Sequence, residues 1–398
     1  MTSPIRLPAA SVHAWRVERQ LLGRAKAGTP EEVATTLVGV QAQVASSAAL
    51  AIALRSRRAR GTARTEDPTV AALRDRRLVR SWAMRGTLHL FAADDVPTIA
   101  AALGGKDNWR RPAWLRWFGV TEREMDRLID TIGEVLDDGR ARTRAELAVE
   151  IEARLGAHAG QLLHGSWGSA LKVASDRHYL CQSAEDDAGV RFVKASRWIG
   201  AWREEDPHDA LAALVVRYLA SYGPATLKEI LRWWGASVVK VMKPLIESLG
   251  GALAEVEVGS ARTVARTEDV AAIESTRPTR GNVQLLGGFD PFIVGAGLRD
   301  QLIPPAHLKR VSRTAGWISP VVLVDGIAAG VWDSRRQGDR LSITIDPFER
   351  FDAKRKAAVE RAADEVARAI GATASVAYGR VFAADVKGPK LVIEPRDA

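Results

Sequence analysis

Apolar and polar positions along the chain follow patterns typical of short helices that lead into β-hairpins. A helical spacing predicts helices over residues 11–24, 30–38, 47–60 and 68–77. The next run, LVRSWAMRGTLHLF, alternates around Arg85-Gly86, which predicts a hairpin with strands over 78–84 and 87–91. Helices followed by a hairpin are the element order of a winged helix, a helix-turn-helix variant.

The same order occurs twice more along the chain. In the second copy, Thr143 to Glu146 form a capping box, TRAE, within a series predicted over 121–138, 158–175, 178–183 and 190–195. In the third copy, Thr226 to Glu229 form another capping box, TLKE, and a helix over 236–249 precedes a hairpin that turns at Gly259-Ser260. The sequence therefore predicts three tandem winged-helix units.

From about residue 282 the pattern changes to strands, and VVLVDGIAAGVW is predicted to form a hairpin that turns at Asp325-Gly326. One long helix, predicted over 347–370, interrupts these strands. The expected fold class is α+β, with three tandem winged-helix units followed by a C-terminal β-barrel-like domain. The expected domains are residues 1–105, 106–203, 204–280 and 281–398.

Composition narrows the function classes only a little. The 398-residue chain is 46% hydrophobic and 26% charged, which is ordinary for a globular protein with several domains. Its 57 basic and 48 acidic residues give a net charge of +9, so a polyanionic partner is plausible. Cys181 is the single cysteine, which excludes a disulfide or a thiolate metal site within one chain. No apolar run has the length of a signal peptide or membrane span, so we expect a cytoplasmic protein.

Gln41 and Gln43 stand in an otherwise apolar segment between two predicted helices. Gly39 is expected to end the first helix, and Ser46 or Ser47 to cap the second. The two glutamines then fall in an extended connection, where residues i and i+2 point to the same side. Two amides directed at one point can hold a water molecule or a polar ligand. The alternative is a pair of loop amides that cap the helix ends.

Several motifs together resemble the AlkZ-like DNA glycosylases. They are QAQ at 41–43, RSWAMRGTLHL at 80–90, the tandem winged helices, and FDPF at 289–292 with PVVLVDGIAAGVW at 320–332. The resemblance covers nearly the whole chain, and QAQ and MRGTLHLF are its most specific parts. It implies a fold of three winged helices and a β-barrel that curve around DNA. It also implies an enzyme that hydrolyses the N-glycosidic bond of N7-alkylguanines.

By the same resemblance, Gln41 and Gln43 are the catalytic pair. A similar sister branch of the family has Asp at the second position of this motif. Gln43 therefore favours the branch that removes bulky natural-product adducts or interstrand crosslinks.

The implied chemistry does not require a carboxylate. Glycosidic hydrolysis commonly uses one carboxylate to stabilise the oxocarbenium-like sugar and a general acid for the leaving group. An N7-alkylguanine is already cationic and leaves as a neutral base, so it needs no general acid. The enzyme then has to position a water under C1′ and to stabilise the sugar cation. Positioning alone supplies about 7–11 kcal/mol at the extreme. We expect no metal and no cofactor.

The first candidate DNA-binding residues lie in the hairpin around Arg85 and in the helix that follows Gln41 and Gln43. Arg85, Thr87 and His89 alternate on one side of the hairpin, so all three could face DNA. The alternative is a wing that packs against its own domain. Arg55 and Arg58 lie at the end of the helix after QAQ and suit phosphate contacts. Cations there are also favourable with the helix dipole alone.

Two further candidates are in the β-rich domain. Arg335 and Arg336 lie at a predicted hairpin tip that could probe a DNA groove, or that is a solvated turn. Asp290 in FDPF is the one acid in an apolar setting that could serve as an alternative catalytic carboxylate. A turn-forming Asp before Pro291 is the competing interpretation.

The sequence thus predicts a monofunctional DNA glycosylase that acts on alkylated guanine in double-stranded DNA and leaves an abasic site, in repair or toxin self-resistance. It is expected to be a monomer associated with the nucleoid, without a membrane partner. No lysine is placed for a Schiff base, so no strand cleavage is expected. The alternative is a non-catalytic winged-helix transcriptional regulator, which would prefer a sequence and dimerise on a palindrome. A structural or phosphate-sensing protein without a DNA role is a third possibility.

Overall fold

The structure is a computed structural model that describes residues 5–57, 67–106, 108–164, 169–183, 189–235, 239–278 and 280–381. Helices and strands are mixed as predicted, so the α+β class is confirmed. Within these residues, no helix is both long and apolar enough to cross a membrane.

The N-terminal part contains the predicted helices and hairpin. Its elements are β1 (Ile5–Leu7), α1 (Ala9–Arg19), α2 (Pro30–Thr36), β2 (Val40–Gln41), α3 (Ala45–Arg55), α4 (Pro68–Arg74), β3 (Leu78–Trp82), β4 (Leu88–Ala92) and α5 (Val96–Gly104). The predicted serine cap is wrong: α3 begins after Val44 without a side-chain cap, which places Ser46 and Ser47 inside its first turn. The helix also ends earlier than predicted, because Ser56 is extended and pairs with Ala27.

The middle of the chain repeats helices followed by a hairpin. Its elements are α6 (Pro112–Phe118), α7 (Glu122–Val135), β5 (Arg142–Thr143), α8 (Arg144–Leu155), α9 (Ala157–His164), α10 (Ser169–Asp176), β6 (Cys181–Gln182), β7 (Arg191–Val193), α11 (Ala195–Ile199), α12 (Pro207–Tyr222), α13 (Leu227–Trp234), α14 (Val239–Ser248), β8 (Leu253–Val258), β9 (Ala261–Arg266) and α15 (Val270–Ser275). Both predicted capping boxes are confirmed, at Thr143 with Glu146 and at Thr226 with Glu229.

The C-terminal part is built on one five-stranded sheet. Its elements are β10 (Val283–Leu286), α16 (Pro291–Val294), α17 (Arg299–Leu302), α18 (Leu308–Val311), β11 (Val321–Val324), β12 (Ile327–Gln337), β13 (Arg340–Pro347), α19 (Ala353–Ala369) and β14 (Thr373–Tyr378). The strand order is β10-β11-β12-β13-β14, and β14 is parallel to β13. Asp325 and Gly326 both have positive φ, which confirms the predicted hairpin turn. The sheet curls into a half-barrel and buries one face against α19.

The sheets join segments that the predicted domain boundaries separate. Strands β2-β4-β3-β6-β7-β5 form one six-stranded sheet, with Arg80 of the first hairpin opposite Gln182 of the second. Strand β1 pairs with β8, so the N-terminal strand lies beside the third hairpin. The element order agrees with winged helices, but the number of such units and their boundaries stay predictions.

Candidate active site

The end of α2 positions Gln41. Val38 and Gly39 have φ of 52° and 93°, which turns the chain out of the helix as predicted for Gly39. A Cβ on Gly39 would collide with the ring of Phe91, so glycine also lets β2 approach β4 closely. Val40 and Gln41 then pair with β4, and Gln41 lies opposite His89. The extended connection predicted for the glutamines is therefore confirmed at Gln41.

Gln41 is buried and hydrogen-bonded to the turn of the first hairpin. The residue is 7% exposed, and its Oε1 accepts from an Nη of Arg85 at 3.1 Å. The same nitrogen of Arg85 lies 3.3 Å from Nε2 of His89. The other Nη of Arg85 donates to the carbonyl oxygen of Trp233 at 2.7 Å. The Arg85 guanidinium thus links the Gln41 amide to Trp233 in α13 by hydrogen bonds.

His89 is a neutral acceptor in this network. Its Nδ1 lies 2.9 Å from the carbonyl oxygen of Thr87, which can only accept, so Nδ1 carries the proton and Nε2 the lone pair. Burial, and then the charge of Arg85, lowers the pKa of His89 to about 3, so the ring is neutral at pH 7. Burial lowers the pKa of Arg85 to about 10, which still leaves it protonated. A charged donor is therefore directed at Gln41.

Gln43 differs from Gln41 in exposure. Its side chain is exposed, and its Oε1 accepts from the backbone N–H of Leu88 at 3.4 Å. The backbone N–H of Ala42, between the glutamines, donates to the Leu88 carbonyl at 2.7 Å. Both amide oxygens thus accept from residues 85–88, and only the Gln43 side chain reaches solvent freely. That the two amides converge on one point stays a prediction.

The structure corrects the DNA-contact predictions for Arg55 and His89. Arg55 is 0% exposed and forms a two-bonded ion pair with Asp290, at 2.9 and 2.7 Å. His89 is 1% exposed, because its ring packs on Phe91 inside the domain. A buried side chain already satisfied within the protein cannot contact phosphate in this conformation. Asp290 also accepts from the N–H of Phe292, so it caps α16 as the turn interpretation predicts.

The remaining DNA-binding candidates lie in different parts of the chain. Arg335 and Arg336 are exposed at the end of the β12–β13 hairpin, opposite Ser342 and Leu341. Thr87 is half-buried, and its hydroxyl donates to the Met84 carbonyl within the turn. Arg58 lies outside the described residues.

Two site residues were missed by the sequence reading. Trp233 contributes only a backbone carbonyl, for which no side-chain signal exists. Gly235 has φ of 109°, and a Cβ there would lie 3.0 Å from the backbone nitrogen of Arg85. Its place after α13 marks it as a helix-ending glycine, but nothing local indicates that it faces Arg85.

The arrangement suits positioning rather than proton transfer. The acceptor of Gln41 is occupied by Arg85, so its Nε2 remains to donate, while Gln43 presents an exposed amide with its Oε1 only weakly engaged. Such a pair can orient a water or a sugar oxygen by hydrogen bonds. Among the residues that the structure describes, the side-chain oxygens of these two glutamines accept from Arg85 and from the Leu88 N–H, and neither amide bonds to a carboxylate or a lysine amine.

Nearly the whole chain is similar to known DNA glycosylases. A family model described as DNA glycosylase AlkZ-like matches residues 34–369. The interstrand DNA cross-link repair glycosylase of Streptomyces sahachiroi is 34% identical over 368 residues, which are 90% of this chain and 96% of that protein. The solved structure of the Streptomyces sahachiroi DNA glycosylase AlkZ has a TM-score of 0.86 and 32% identity, and the match covers 94% of this chain and 100% of that one.

Proposed function

The chain belongs to the AlkZ-like DNA glycosylase family, and from this premise we propose that it hydrolyses the N-glycosidic bond of bulky N7-alkylguanine adducts or crosslinks in double-stranded DNA. The products are the released base and an abasic site. Gln41 and Gln43 orient the attacking water under C1′. The biological role is DNA repair or self-resistance to a DNA-alkylating toxin.

The observation that carries this proposal is the fixed orientation of the Gln41 amide beside an exposed Gln43. Arg85 holds Gln41 through a charge-assisted hydrogen bond, so the amide is set before substrate binds. Pre-set hydrogen-bonding groups lower a reaction barrier because they need no reorganisation during the reaction. The family's cationic substrate needs no general acid, which fits two glutamines that hydrogen-bond to Arg85 and the Leu88 backbone and, within the described residues, to no carboxylate.

The substrate class rests on the relative from Streptomyces sahachiroi, which is named an interstrand DNA cross-link repair glycosylase. Gln43 in this chain agrees with that activity, since glutamine at the second motif position accompanies bulky substrates in the resemblance described above. The bond partners of Gln41 and Gln43 in the described chain include no lysine, so we propose a monofunctional reaction through water. We propose that the enzyme works as a monomer.

Cleavage of defined duplexes tests the proposal. Oligonucleotides carrying N7-methylguanine, a bulky intercalator–guanine adduct or an interstrand crosslink are incubated with enzyme and then heated in alkali, which breaks the strand at abasic sites. Wild type is expected to give breaks at the bulky lesions, and breaks without alkali are not expected. Gln41→Ala and Gln43→Ala are expected to lose most of this activity.

A matched control is Gln161→Ala, which removes an exposed glutamine from α9. It is expected to cleave at the wild-type rate. Breaks by the Gln41→Ala/Gln43→Ala double variant at the wild-type rate would remove the catalytic role from this pair. No base release from any lesion by wild type, with tight binding to one undamaged sequence, would leave a DNA-binding regulator.

A further inference from the structure

A large cleft begins at the hairpin turn that holds Gln41. Its volume is about 950 Å³, within the range of small-molecule and cofactor sites. Helices α6, α10 and α13, the segment that leads into α6, and the β3–β4 turn line it. We call it the Lys106 cleft, and its main polar and aromatic lining residues are Arg85, Lys106, Trp114, Lys172, Lys228 and Arg232.

The lining is strongly cationic, although Lys106 lies over the ring of Trp234, 4.6 Å from its centroid, and Arg232 donates to the Ala296 carbonyl. In the part of the chain that the structure describes, none of Lys106, Lys172, Lys228 and Arg232 forms an ion pair within 4.0 Å. Asp176 is the one carboxylate among the lining residues. Arginines elsewhere in the described chain commonly have acidic partners, as Arg217 has in Asp95 at 2.8 Å. The cleft therefore holds a local excess of positive charge.

Burial makes it energetically unfavourable to keep these positive charges close together. It lowers the pKa of both Lys106 and Lys172, which means that the surroundings disfavour their charged forms. Burial also raises the pKa of Asp176 to about 6, even though the two lysines oppose that change. A bound anion would stabilise the ammonium groups and return their pKa values towards the ordinary range. The charge pattern thus indicates an anionic ligand.

Aromatic side chains in the cleft indicate that the anionic ligand also carries a flat ring. Trp114 is half-buried and lines the cleft beside Trp109, with ring centroids 6.4 Å apart at an interplanar angle of 68°. Phe118 packs on Trp114 with centroids 4.2 Å apart, which supports the indole from within the domain. A supported indole at the wall of a cationic cleft is a platform for a flat ring, worth about 1–3 kcal/mol per stacked base.

Arg85 connects this cleft to the glutamine pair. It lines the cleft while one of its nitrogens donates to Gln41. A ligand in the cleft therefore lies next to the group that orients the candidate catalytic amide.

We propose that the Lys106 cleft binds a single extrahelical nucleotide of the DNA, with its phosphate on Lys106, Lys172, Lys228 and Arg232 and its base against Trp114. This inference rests on the proposed function only in taking DNA as the substrate. An anion and a flat ring in one ligand are the chemistry of a nucleotide. Trp114 also packs against the core, but phosphate clamping alone would use the lysines and leave the part of the indole that lines the cleft without a ligand.

The test compares two undamaged duplexes by fluorescence anisotropy at several KCl concentrations. One carries a single bulged thymidine, and the other carries the same bulge without a base, as a tetrahydrofuran residue. Wild type is expected to bind the base-bearing bulge at least about fivefold tighter, the lower end of a stacking contribution. Trp114→Ala is expected to lose this preference.

Matched variants separate the cleft from general effects. Trp117→Ala removes an indole that is 79% exposed on the same helix, and it is expected to keep the preference. Lys172→Gln/Lys228→Gln is expected to bind both duplexes more weakly and to reduce the slope of log affinity against log salt concentration (the salt slope) by about 2. The exposed pair Lys309→Gln/Lys354→Gln is expected to leave that slope unchanged. Trp114→Phe, which keeps a ring, is expected to retain part of the preference and guards against misfolding of the alanine variant.

Two results would overturn the inference. One is equal affinity of wild type for the two bulges, which would reduce the cleft to a phosphate contact at most. The other is a salt slope in Lys172→Gln/Lys228→Gln equal to that of the control pair. Failure of the glycosylase proposal is a different result, namely no base release from alkylated DNA, and leaves this binding measurement interpretable.

Discussion

Arg85 donates to Oε1 of Gln41 at 3.1 Å across a sequence separation of 44 residues, and its second Nη donates to the Trp233 carbonyl. The bond settles the orientation of the Gln41 amide, because only the oxygen can accept from a guanidinium. We infer that Arg85 acts as a positioning residue for Gln41, and the phosphate contact predicted from its place in a hairpin turn is the alternative.

Replacement of Arg85 is expected to reduce turnover more than DNA binding. Losing a hydrogen bond from a charged donor costs about 1.5–3 kcal/mol, which corresponds to a roughly 10- to 150-fold lower kcat. Arg85→Lys is expected to recover little, because one ammonium cannot reproduce the fork that reaches Gln41, His89 and Trp233 together. Single-turnover rates and dissociation constants on the same adduct duplex measure the two effects separately. A loss confined to binding would return Arg85 to the DNA-contact role.

Gly235 is expected to matter through Arg85. In Gly235→Ala, the new Cβ would lie 3.0 Å from the Arg85 nitrogen and 3.1 Å from its Cα, so the hairpin turn has to shift. Gly250→Ala is the matched control, since Gly250 also has positive φ but has no atom within 4 Å of such a Cβ. Both variants are expected to lose about 1 kcal/mol of stability from backbone strain. Only Gly235→Ala is expected to lower kcat, and equal rates in the two variants would contradict the coupling.

The sequence alone predicts the local parts of this site and misses the contacts between distant segments. Two amides in an apolar connection single out Gln41 and Gln43, and alternation around Arg85-Gly86 predicts the hairpin. The contact of Arg85 with Trp233 spans 148 residues, and the pair of Arg55 with Asp290 spans 235. A basic residue at a helix end has the same local pattern whether it is solvated or buried against a distant carboxylate.

The Arg55–Asp290 pair is expected to dominate the stability of the contact between α3 and the start of α16. Both side chains are 0% exposed, so Arg55→Leu leaves a buried carboxylate without its counter-charge. That loss is expected to lower the free energy of unfolding by about 3–5 kcal/mol, as measured by urea denaturation. Arg55→Leu/Asp290→Asn is expected to recover part of it, because asparagine removes the charge but can still cap α16.

The control for this prediction is Arg6→Leu. Arg6 pairs with Glu257 at 3.2 Å, but its side chain is 84% exposed. An exposed pair contributes about 0–1 kcal/mol, so the two variants are expected to differ severalfold in their effect. Equal effects would mean that burial of the Arg55 pair is not what makes it important.

His13 is expected to make stability depend on pH. Burial, and then the charge of Arg16, lowers its pKa from 6.5 to about 4 in the folded protein. Between these values the unfolded state binds more protons than the folded state, so the free energy of unfolding rises with pH. The difference between wild type and His13→Gln is expected to fall by about 1.4 kcal/mol per pH unit from pH 6.5 down to about 4, and to be constant above pH 7. A difference that does not change with pH would show that His13 titrates alike in both states.

Among the DNA-binding candidates that the structure describes, Arg335 and Arg336 are exposed, at the end of the long β12–β13 hairpin. If the hairpin contacts phosphates, Arg335→Gln/Arg336→Gln releases fewer counterions on binding, and the slope of log affinity against log salt falls by about 2. The single-turnover rate at saturating DNA is expected to stay unchanged, because neither residue touches the Gln41 network. Lys354→Gln/Arg361→Gln on exposed positions of α19 is the matched control for charge alone. An equal fall in slope for the two pairs would assign the effect to net charge, and a solvated turn would then be the correct interpretation of this hairpin.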